Sequence, residues 1–391
     1  MSHSVLDRGT RMEMIPIARP WLGPEEATAA AAAIASGWVA QGPRVAEFER
    51  AVCSKVGADH GVAVSSCTTG LHLALVVLNI GPRDEVVVPS LSFIATANAV
   101  RYVGATPVFA DVEAGTQNLS AKTIAEVLTP ATRAVILVHQ AGVPADIEAV
   151  HQLCDRRGVA VIEDAACAIG STYRGAPIGG HSSLVVFSFH PRKVITTGEG
   201  GMVVTSRTDW AERLRRLREH GMSVSAAARH ESRAAVVEQY LETGFNYRLT
   251  DIQAAVGLVQ LSRLDTLIHR RRQLARNYQK LLESVPGLQI VCDPPYGTTN
   301  YQSFWVVLPD DFPIGRNELM QRMLDEGISP RRGIMAAHLE PTFAGHAHTP
   351  LPVTERLTSR SLLLPLFHEM SDSDQERVVG VLTEAAQGAR V

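Results

Sequence analysis

Short apolar runs rich in β-branched residues recur through the first half of this 391-residue sequence, and helix-like stretches separate them. The runs are GVAVSS from position 61, EVVVP from 85, PVFA from 107, AVILVH from 134, VAVIED from 159, LVVFSF from 184 and MVVT from 202. Several are continuously apolar, which is typical of strands that are covered on both faces. The alternation of strands and helices predicts an α/β domain with a mainly parallel sheet.

The pattern of predicted secondary structure changes after about position 250. One long helical run covers 251–285, and a strand-like SFWVVLP and shorter mixed elements follow it. We therefore expect a large domain over residues 15–255 and a smaller C-terminal α+β domain over 256–391, with residues 1–14 loose.

Composition excludes several classes of protein. The formal net charge of −3 provides no basic excess for binding a nucleic-acid backbone. The five cysteines are widely spaced and contain no C-x-x-C pair, which argues against a disulfide framework or a zinc site and favours a reducing cytoplasm. No apolar run approaches the roughly 20 residues that a membrane span needs, and the N-terminus lacks an apolar signal core.

Polar residues follow the predicted strands, where ligands of open α/β sheets bind. SSCTTG from position 65 follows the first strand and can begin a helix whose N–H groups and hydroxyls face a phosphate, although Ser and Thr are also ordinary helix caps. Asp164 ends the fifth strand; if buried it needs a cationic partner, and a structural salt bridge is the alternative.

Lysine is scarce in this sequence. The four lysines are Lys55, Lys122, Lys193 and Lys280. Lys193 stands between the sixth strand and a Gly- and Thr-rich turn, where a solvated loop lysine is the alternative to a nucleophilic amine, which arginine cannot supply.

Together, a phosphate cradle, a carboxylate and a deprotonatable lysine on three strand ends are the parts needed to hold pyridoxal 5′-phosphate (PLP). A P-loop ending and a G-x-G-x-x-G after the first strand are both absent, which disfavours nucleotide hydrolysis and dinucleotide binding.

Five segments resemble the DegT/DnrJ/EryC1/StrS family of PLP-dependent sugar aminotransferases. They are VSSCTTGLHLAL, DEVVVPSLSFIATANAV, VIEDAACAIGSTYRG, FSFHPRKVITTGEGGMVVT and GFNYRLTDIQAAVGLVQL, within a match from about Pro20 to the C-terminus. The resemblance implies the type I (aspartate aminotransferase-like) fold, with a mostly parallel seven-stranded sheet in the large domain. It also implies a homodimer with active sites at the subunit interface.

The resemblance also assigns roles to individual residues. Lys193 would form the Schiff base with PLP, Asp164 would contact the pyridine nitrogen and Phe93 would stack on the ring, although Phe93 could instead be a core aromatic. The phosphate would be held by Thr68, Thr69, Ser188 and, from the partner subunit, Asn246, which could alternatively be a turn residue. Cys167 departs from the family, which usually has Gln or His there, and a thiol is a weaker hydrogen-bond donor to the cofactor.

Substrate contacts are expected at four positions. His220 and Gly221 lead into a polar segment, 222–240, that is long enough to be a mobile substrate loop. Arg248 is an alternative to Asn246, and Arg332 and His338 lie in RRGIMAAHLEP, where family members often contact substrate. The C-terminal histidines lack an H-E-x-x-H arrangement, so no metal site is expected.

The resulting hypothesis is transfer of an amino group from L-glutamate, or glutamine, to a nucleotide-linked 4-keto-6-deoxy sugar in amino-sugar biosynthesis. An aminotransferase for a keto-cyclitol is the alternative within this fold. A PLP-dependent sugar dehydratase or a PLP-binding regulatory protein is the alternative from another class, and the presence of Lys193 argues against the family's dehydratases, which have histidine there.

Overall fold

The structure is a computed structural model that describes residues 14–225, 229 and 235–388. The N-terminal stretch that we predicted to be loose lies outside these residues, apart from Met14, and so does the middle of the predicted substrate loop. No helix among the described residues has the length and apolar character required to cross a membrane.

The first half of the chain forms a seven-stranded sheet and a small hairpin. The nine strands are β1 His60–Val64, β2 Glu85–Pro89, β3 Thr106–Ala110, β4 Thr132–Val138, β5 Ala160–Asp164, β6 Thr172–Tyr173, β7 Ala176–Pro177, β8 Val185–Ser188 and β9 Gly201–Thr205. The sheet order is β1-β9-β8-β5-β4-β2-β3. All pairings within it are parallel except those of β9, which runs antiparallel to both β1 and β8. The prediction of a mostly parallel seven-stranded sheet is confirmed.

Helices cover both faces of this sheet. They are α1 Pro24–Ala35, α2 Pro43–Val56, α3 Cys67–Val77, α4 Ala95–Tyr102, α5 Ala121–Ala125, α6 Ile147–Asp155 and α7 Thr208–Leu217. Within β2, Val86 and Val88 belong to one hydrophobic cluster and Val87 to the other. Because alternate strand residues point to opposite faces, two buried faces explain the continuous apolar runs in the sequence.

The run 251–285, which we predicted to be one helix, is two helices followed by a short 3-10 turn. They are α8 Asp251–Ser262 and α9 Leu264–Leu281. The geometry changes at Arg263 (φ −97°, ψ 0°). Its Nη1 lies 2.9 Å from Oε1 of Glu26 and its Nη2 2.6 Å from Oε2 of Glu25, so ion pairs with α1 hold the break in place.

The C-terminal part is a smaller α+β unit. Its strands are β10 Gln289–Ile290, β11 Gly297–Thr298, β12 Phe304–Val307, β13 Arg331–Arg332 and β14 Ser361–Leu364, and its helices are α10 Arg316–Asp325, α11 Pro352–Arg360 and α12 Asp372–Ala386. Four of the strands form an antiparallel sheet in the order β10-β12-β14-β13, while β11 pairs with β6 of the first half. The N-terminal Ile15 also hydrogen-bonds to Gly327 and Ser329 of this unit. The domain boundary at 255/256 stays a prediction.

Candidate active site

Three strand ends and one helix start meet at the same edge of the large sheet. Gly201, the first residue of β9, pairs with Val64 at the end of β1 and with Ser188 at the end of β8. A Cβ on Gly201 would lie 2.6 Å from the carbonyl oxygen of Ser66, so the close approach of α3 to the sheet requires glycine here. Asp164 ends β5, which is the neighbour of β8. The sheet therefore brings the predicted phosphate cradle and the predicted carboxylate to one edge.

The start of α3 is held by a capping box. Oγ of Ser66 accepts from the backbone N–H of Thr69 at 3.2 Å, and Oγ1 of Thr69 accepts from the N–H of Ser66 at 3.1 Å. Thr69 is thus the N3 residue of the helix cap, and its predicted contact with a phosphate stays a prediction. No side-chain hydrogen bond of Thr68 is found within the described chain. Its hydroxyl and the free N–H groups of the first turn can therefore bind an anion.

Asp164 is a buried carboxylate whose negative charge is only partly stabilised by its neighbours. Only 5% of the residue is exposed. The hydroxyl of Thr96 donates to Oδ2 and the backbone N–H of Ala166 donates to Oδ1, both at 3.1 Å. Burial raises the pKa of Asp164 despite these bonds and the nearby Lys193. No ion pair of Asp164 is found among the described residues, so a structural salt bridge does not account for it.

Lys193 points inward, towards Asp164 and two cysteines. Its Nζ lies 3.1 Å from Sγ of Cys167, and its backbone N–H donates to the carbonyl oxygen of His190 at 2.8 Å. Burial lowers the pKa of Lys193, but its contact with Cys167 and the nearby Cys67 and Asp164 outweigh burial and raise it. The half-buried side chain is not the solvated loop lysine that was the alternative.

A cavity of about 510 Å³ lies between this sheet edge and the C-terminal unit. Phe93, Cys167 and Arg192 line one side of it, and Arg331 and Arg332 of β13 line the other. Phe93 is 65% exposed, so it is not the core aromatic that was its alternative role. The cavity therefore combines an exposed ring, a thiol and three guanidinium groups.

Of the predicted residues, Phe93, Cys167 and Arg332 line this cavity, and Lys193 reaches it through its contact with Cys167. Asp164, Thr68, Thr69 and Ser188 lie at the neighbouring sheet edge and are not part of the lining.

The other four predicted residues lie elsewhere in the single chain. His338 is buried, with Nδ1 2.6 Å from Oγ of Ser90. His220 and Asn246 are exposed and Arg248 is half-buried, all near the turn that follows α7. Among the described residues, no group of three or more His, Cys, Asp or Glu is placed to bind a metal ion.

The sequence analysis did not identify two residues of the site. Thr96 and Gln140 both follow strands of the sheet, so the rule that polar residues at strand ends form the site could have found them. Oγ1 of Thr96 lies 2.9 Å from Oγ of Ser92; since Thr96 donates to Asp164, Ser92 donates to Thr96. The chain Ser92–Thr96–Asp164 thus orients the carboxylate.

The substitution Thr96→Val should weaken PLP binding or activity by about tenfold, as expected for the loss of one hydrogen bond to a charged group. The cofactor dissociation constant and kcat/KM measure this effect. Thr96→Ser keeps the hydroxyl and should stay close to the wild type. A Thr96→Val variant with wild-type affinity and activity would show that the hydrogen bond does not contribute, and a Thr96→Ser variant as impaired as Thr96→Val would show that keeping the hydroxyl is not sufficient.

Comparison with known proteins adds to this geometry. The model of the DegT/DnrJ/EryC1/StrS aminotransferase family matches residues 20–383. The chain belongs to this family. Among solved structures, the aminotransferase TlmJ from Streptoalloteichus hindustanus is 36% identical, with a TM-score of 0.88 and coverage of 96% of this chain and 99% of that chain.

Two other structures agree. The sugar aminotransferase CalS13 from Micromonospora echinospora is 32% identical, with a TM-score of 0.86 and coverage of 95% of this chain and 100% of that chain. DesI, solved in the presence of its TDP-sugar product, is also 32% identical, with a TM-score of 0.87 and coverage of 96% and 94%. The family and the type I fold predicted from the sequence are confirmed: this is a PLP-dependent sugar aminotransferase of the DegT/DnrJ/EryC1/StrS family.

Proposed function

We propose that this aminotransferase moves an amino group from L-glutamate, or glutamine, to the keto group of a nucleotide-linked 4-keto-6-deoxy sugar. The observation that carries the proposal is the position of Lys193 and Asp164 beside a cavity lined by three arginines. DesI, which shares 32% of its residues with this chain, was solved with a TDP-sugar product, and this likeness supports a nucleotide-linked substrate.

The residues at the sheet edge fit PLP. The buried carboxylate of Asp164 has an elevated pKa, so it gains from a cation placed beside it, as a protonated ring nitrogen would be. The first turn of α3, with Thr68, and the buried Ser188 would hold the phosphate. The exposed ring of Phe93 would cover the pyridine face, and Nζ of Lys193 would be the point of covalent attachment.

When bound, PLP supplies an electron-withdrawing ring that stabilises negative charge on the carbon next to the transferred nitrogen. Asp164 keeps this ring protonated by placing negative charge beside its nitrogen. With PLP and substrate bound, Nζ of Lys193 would accept a proton from the substrate carbon and return it to the neighbouring position. The same amine serves both halves of the reaction.

Charge in the cavity supports an anionic substrate. Arg332 is paired with Glu340 at 3.2 Å, whereas no ion pair of Arg192 or Arg331 is found within the described residues. Arginine forks match the oxygens of carboxylates and phosphates. The two unpaired guanidinium groups thus suit the carboxylate of the amino donor or the diphosphate of a nucleotide sugar.

We further propose a cytoplasmic homodimer in which Asn246 of one subunit completes the phosphate site of the other. Asn246 and His220 are exposed in the single chain, and no side-chain bond from either to Lys193 or Asp164 is found in the described structure. All five cysteines are free, which is compatible with a reducing compartment.

Addition of L-glutamate to the PLP-loaded protein should abolish the visible absorbance of the bound cofactor and release one equivalent of 2-oxoglutarate. This half-reaction needs only the amino donor, so it separates a transaminase from a PLP-binding regulator or a dehydratase. An unchanged spectrum with both glutamate and glutamine would contradict the proposal. A panel containing a 4-keto-6-deoxy nucleotide sugar and a free keto-inositol then identifies the acceptor.

A further inference from the structure

Cys167 and Lys193 form a close pair of nucleophiles beside the cavity. Sγ of Cys167 lies 3.1 Å from Nζ of Lys193. Cys167 lines the cavity, so a small solute can reach its sulfur. A thiol can be oxidised reversibly, and an adjacent nitrogen can then attack the oxidised sulfur.

We propose that Cys167 is an oxidation site whose product captures Lys193 in a sulfur–nitrogen bond and so prevents PLP from attaching. The inference rests on the proposed role of Lys193 as the point of attachment. It goes beyond that role because it assigns a reversible covalent modification to the protein without its cofactor.

The chemistry requires one equivalent of a peroxide as the oxidant. The Cys167 sulfur attacks the peroxide, its O–O bond breaks, and a sulfenic acid forms with release of water. Nζ of Lys193 then attacks the sulfur, the S–O bond breaks, and a proton from the nitrogen leaves with the hydroxyl as a second water. The sulfur is oxidised by two electrons, and the chain loses two hydrogen atoms. A dithiol reverses the link: its first thiol attacks the sulfur, the S–N bond breaks and Nζ leaves as the amine with the thiol's proton. Its second thiol then breaks the mixed disulfide, so Cys167 returns to the thiol and the dithiol becomes a cyclic disulfide.

The position of the amine favours this attack. Nζ of Lys193 lies 3.1 Å from the sulfur, so the bond can form without rearrangement of the backbone. Burial lowers the pKa of Lys193, but its contact with Cys167 and its other neighbours raise that pKa overall, so the neutral, attacking amine is a larger fraction at higher pH and the link should form faster there.

The other cysteines are less suited to react with Cys167. Cys67 contacts Oδ1 of Asp164 at 3.9 Å, and burial, followed by the charge of Asp164, raises the pKa of its thiol well above the ordinary value. A protonated thiol is a poor nucleophile. Cys53 and Cys154 are buried, and burial raises the pKa of each to about 11. Lys193 is thus the favoured partner of an oxidised Cys167.

The test compares the PLP-loaded protein with apo-protein prepared by dialysis against hydroxylamine, both carrying Cys292→Ser to remove the exposed thiol. After hydrogen peroxide, the apo-protein should lose two hydrogen atoms in mass. Peptide mapping should detect the Cys167 peptide linked to the Lys193 peptide. The fraction of protein that fails to bind added PLP should equal the linked fraction. Dithiothreitol should restore both the mass and PLP binding. The loaded protein should resist, since PLP already occupies Nζ.

Two variants decide which groups react. Cys67→Ser should keep the link, and Cys167→Ser should abolish it. A disulfide between Cys67 and Cys167, a sulfinic acid at Cys167 with Lys193 free, or an unchanged mass would each overturn the inference. The proposed function is tested separately, by adding glutamate to the untreated, PLP-loaded protein. If that protein does not react but the oxidised apo-protein still forms the link, the proposed function is refuted and the link is not.

Discussion

Replacing Lys193 with alanine should reduce amino transfer by about 10²–10⁴-fold, the contribution typical of a positioned proton-transfer group, and should abolish covalent attachment of PLP. Nζ of Lys193 is the one lysine amine close to Asp164 in the described structure, whereas Lys55 pairs with the exposed Asp265. Borohydride reduction followed by peptide mapping measures attachment, and steady-state kinetics with a keto-sugar nucleotide measures transfer.

Lys193→Arg is the matched control for this prediction. It keeps a positive charge near Asp164 but cannot supply a neutral amine, because arginine stays protonated. Its activity should therefore be as low as that of the alanine variant. A pyridoxyl label on Lys55, Lys122 or Lys280, or an active arginine variant, would refute the assignment of Lys193.

The second large effect is expected for Asp164→Asn. Asparagine preserves the shape of the side chain, and its single oxygen can accept the hydrogen bond from the N–H of Ala166 while its NH₂ group donates to the hydroxyl of Thr96. It removes the negative charge that holds the ring nitrogen protonated, so we expect a loss of about 10²–10³-fold in kcat, comparable to other preorganised electrostatic groups. Asp265→Asn, at a side chain that is 81% exposed, should leave activity unchanged.

The same substitution should not destabilise the apo-protein. Because the folded pKa of Asp164 is raised, its contribution to stability is present at low pH and is lost as the pH rises through the folded pKa. Above that range the wild type bears the cost of a buried charge, and Asp164→Asn does not. Denaturant unfolding at pH 7 should show the variant equal to or more stable than the wild type. A clear loss of stability would indicate a structural rather than an electrostatic role.

Sequence patterns predicted the sheet and the residues at its edge for a physical reason. Continuous apolar runs such as 85–89 require two covered faces, and polar residues at their ends then have to lie at the ligand edge. The pattern could not reveal the direction of β9, since a buried strand has the same composition whether it runs parallel or antiparallel. It also could not reveal the change of geometry at Arg263, because local propensity continues the helix there and the ion-pair partners of Arg263 lie in the distant α1.

The sequence could not predict which side chains contact each other either. Nothing in the spacing of Cys167 and Lys193 indicates that their terminal atoms meet, because the contact depends on how two loops from different strands are placed. For Asn246 and His220 the sequence assigned roles that a single chain cannot test. These roles depend on a second subunit, and a single chain contains neither the surface nor the contact that would position the two residues.

The reversed direction of β9 has a mechanical consequence for Lys193. Phe189 and Gly200 continue the pairing of β8 and β9 beyond the sheet, with N–H to O=C distances of 2.9 Å between Phe189 and Gly200 and 3.0 Å between Thr197 and Phe189. Lys193 lies on the hairpin loop that joins β8 to β9 at one edge of the sheet. If β9 ran parallel to β8, the connection would have to cross to the other edge, which takes a dozen or more residues. Tying both ends together reduces the conformational entropy of the loop. The nucleophile can thus stay fixed while distant loops vary to accommodate different sugars.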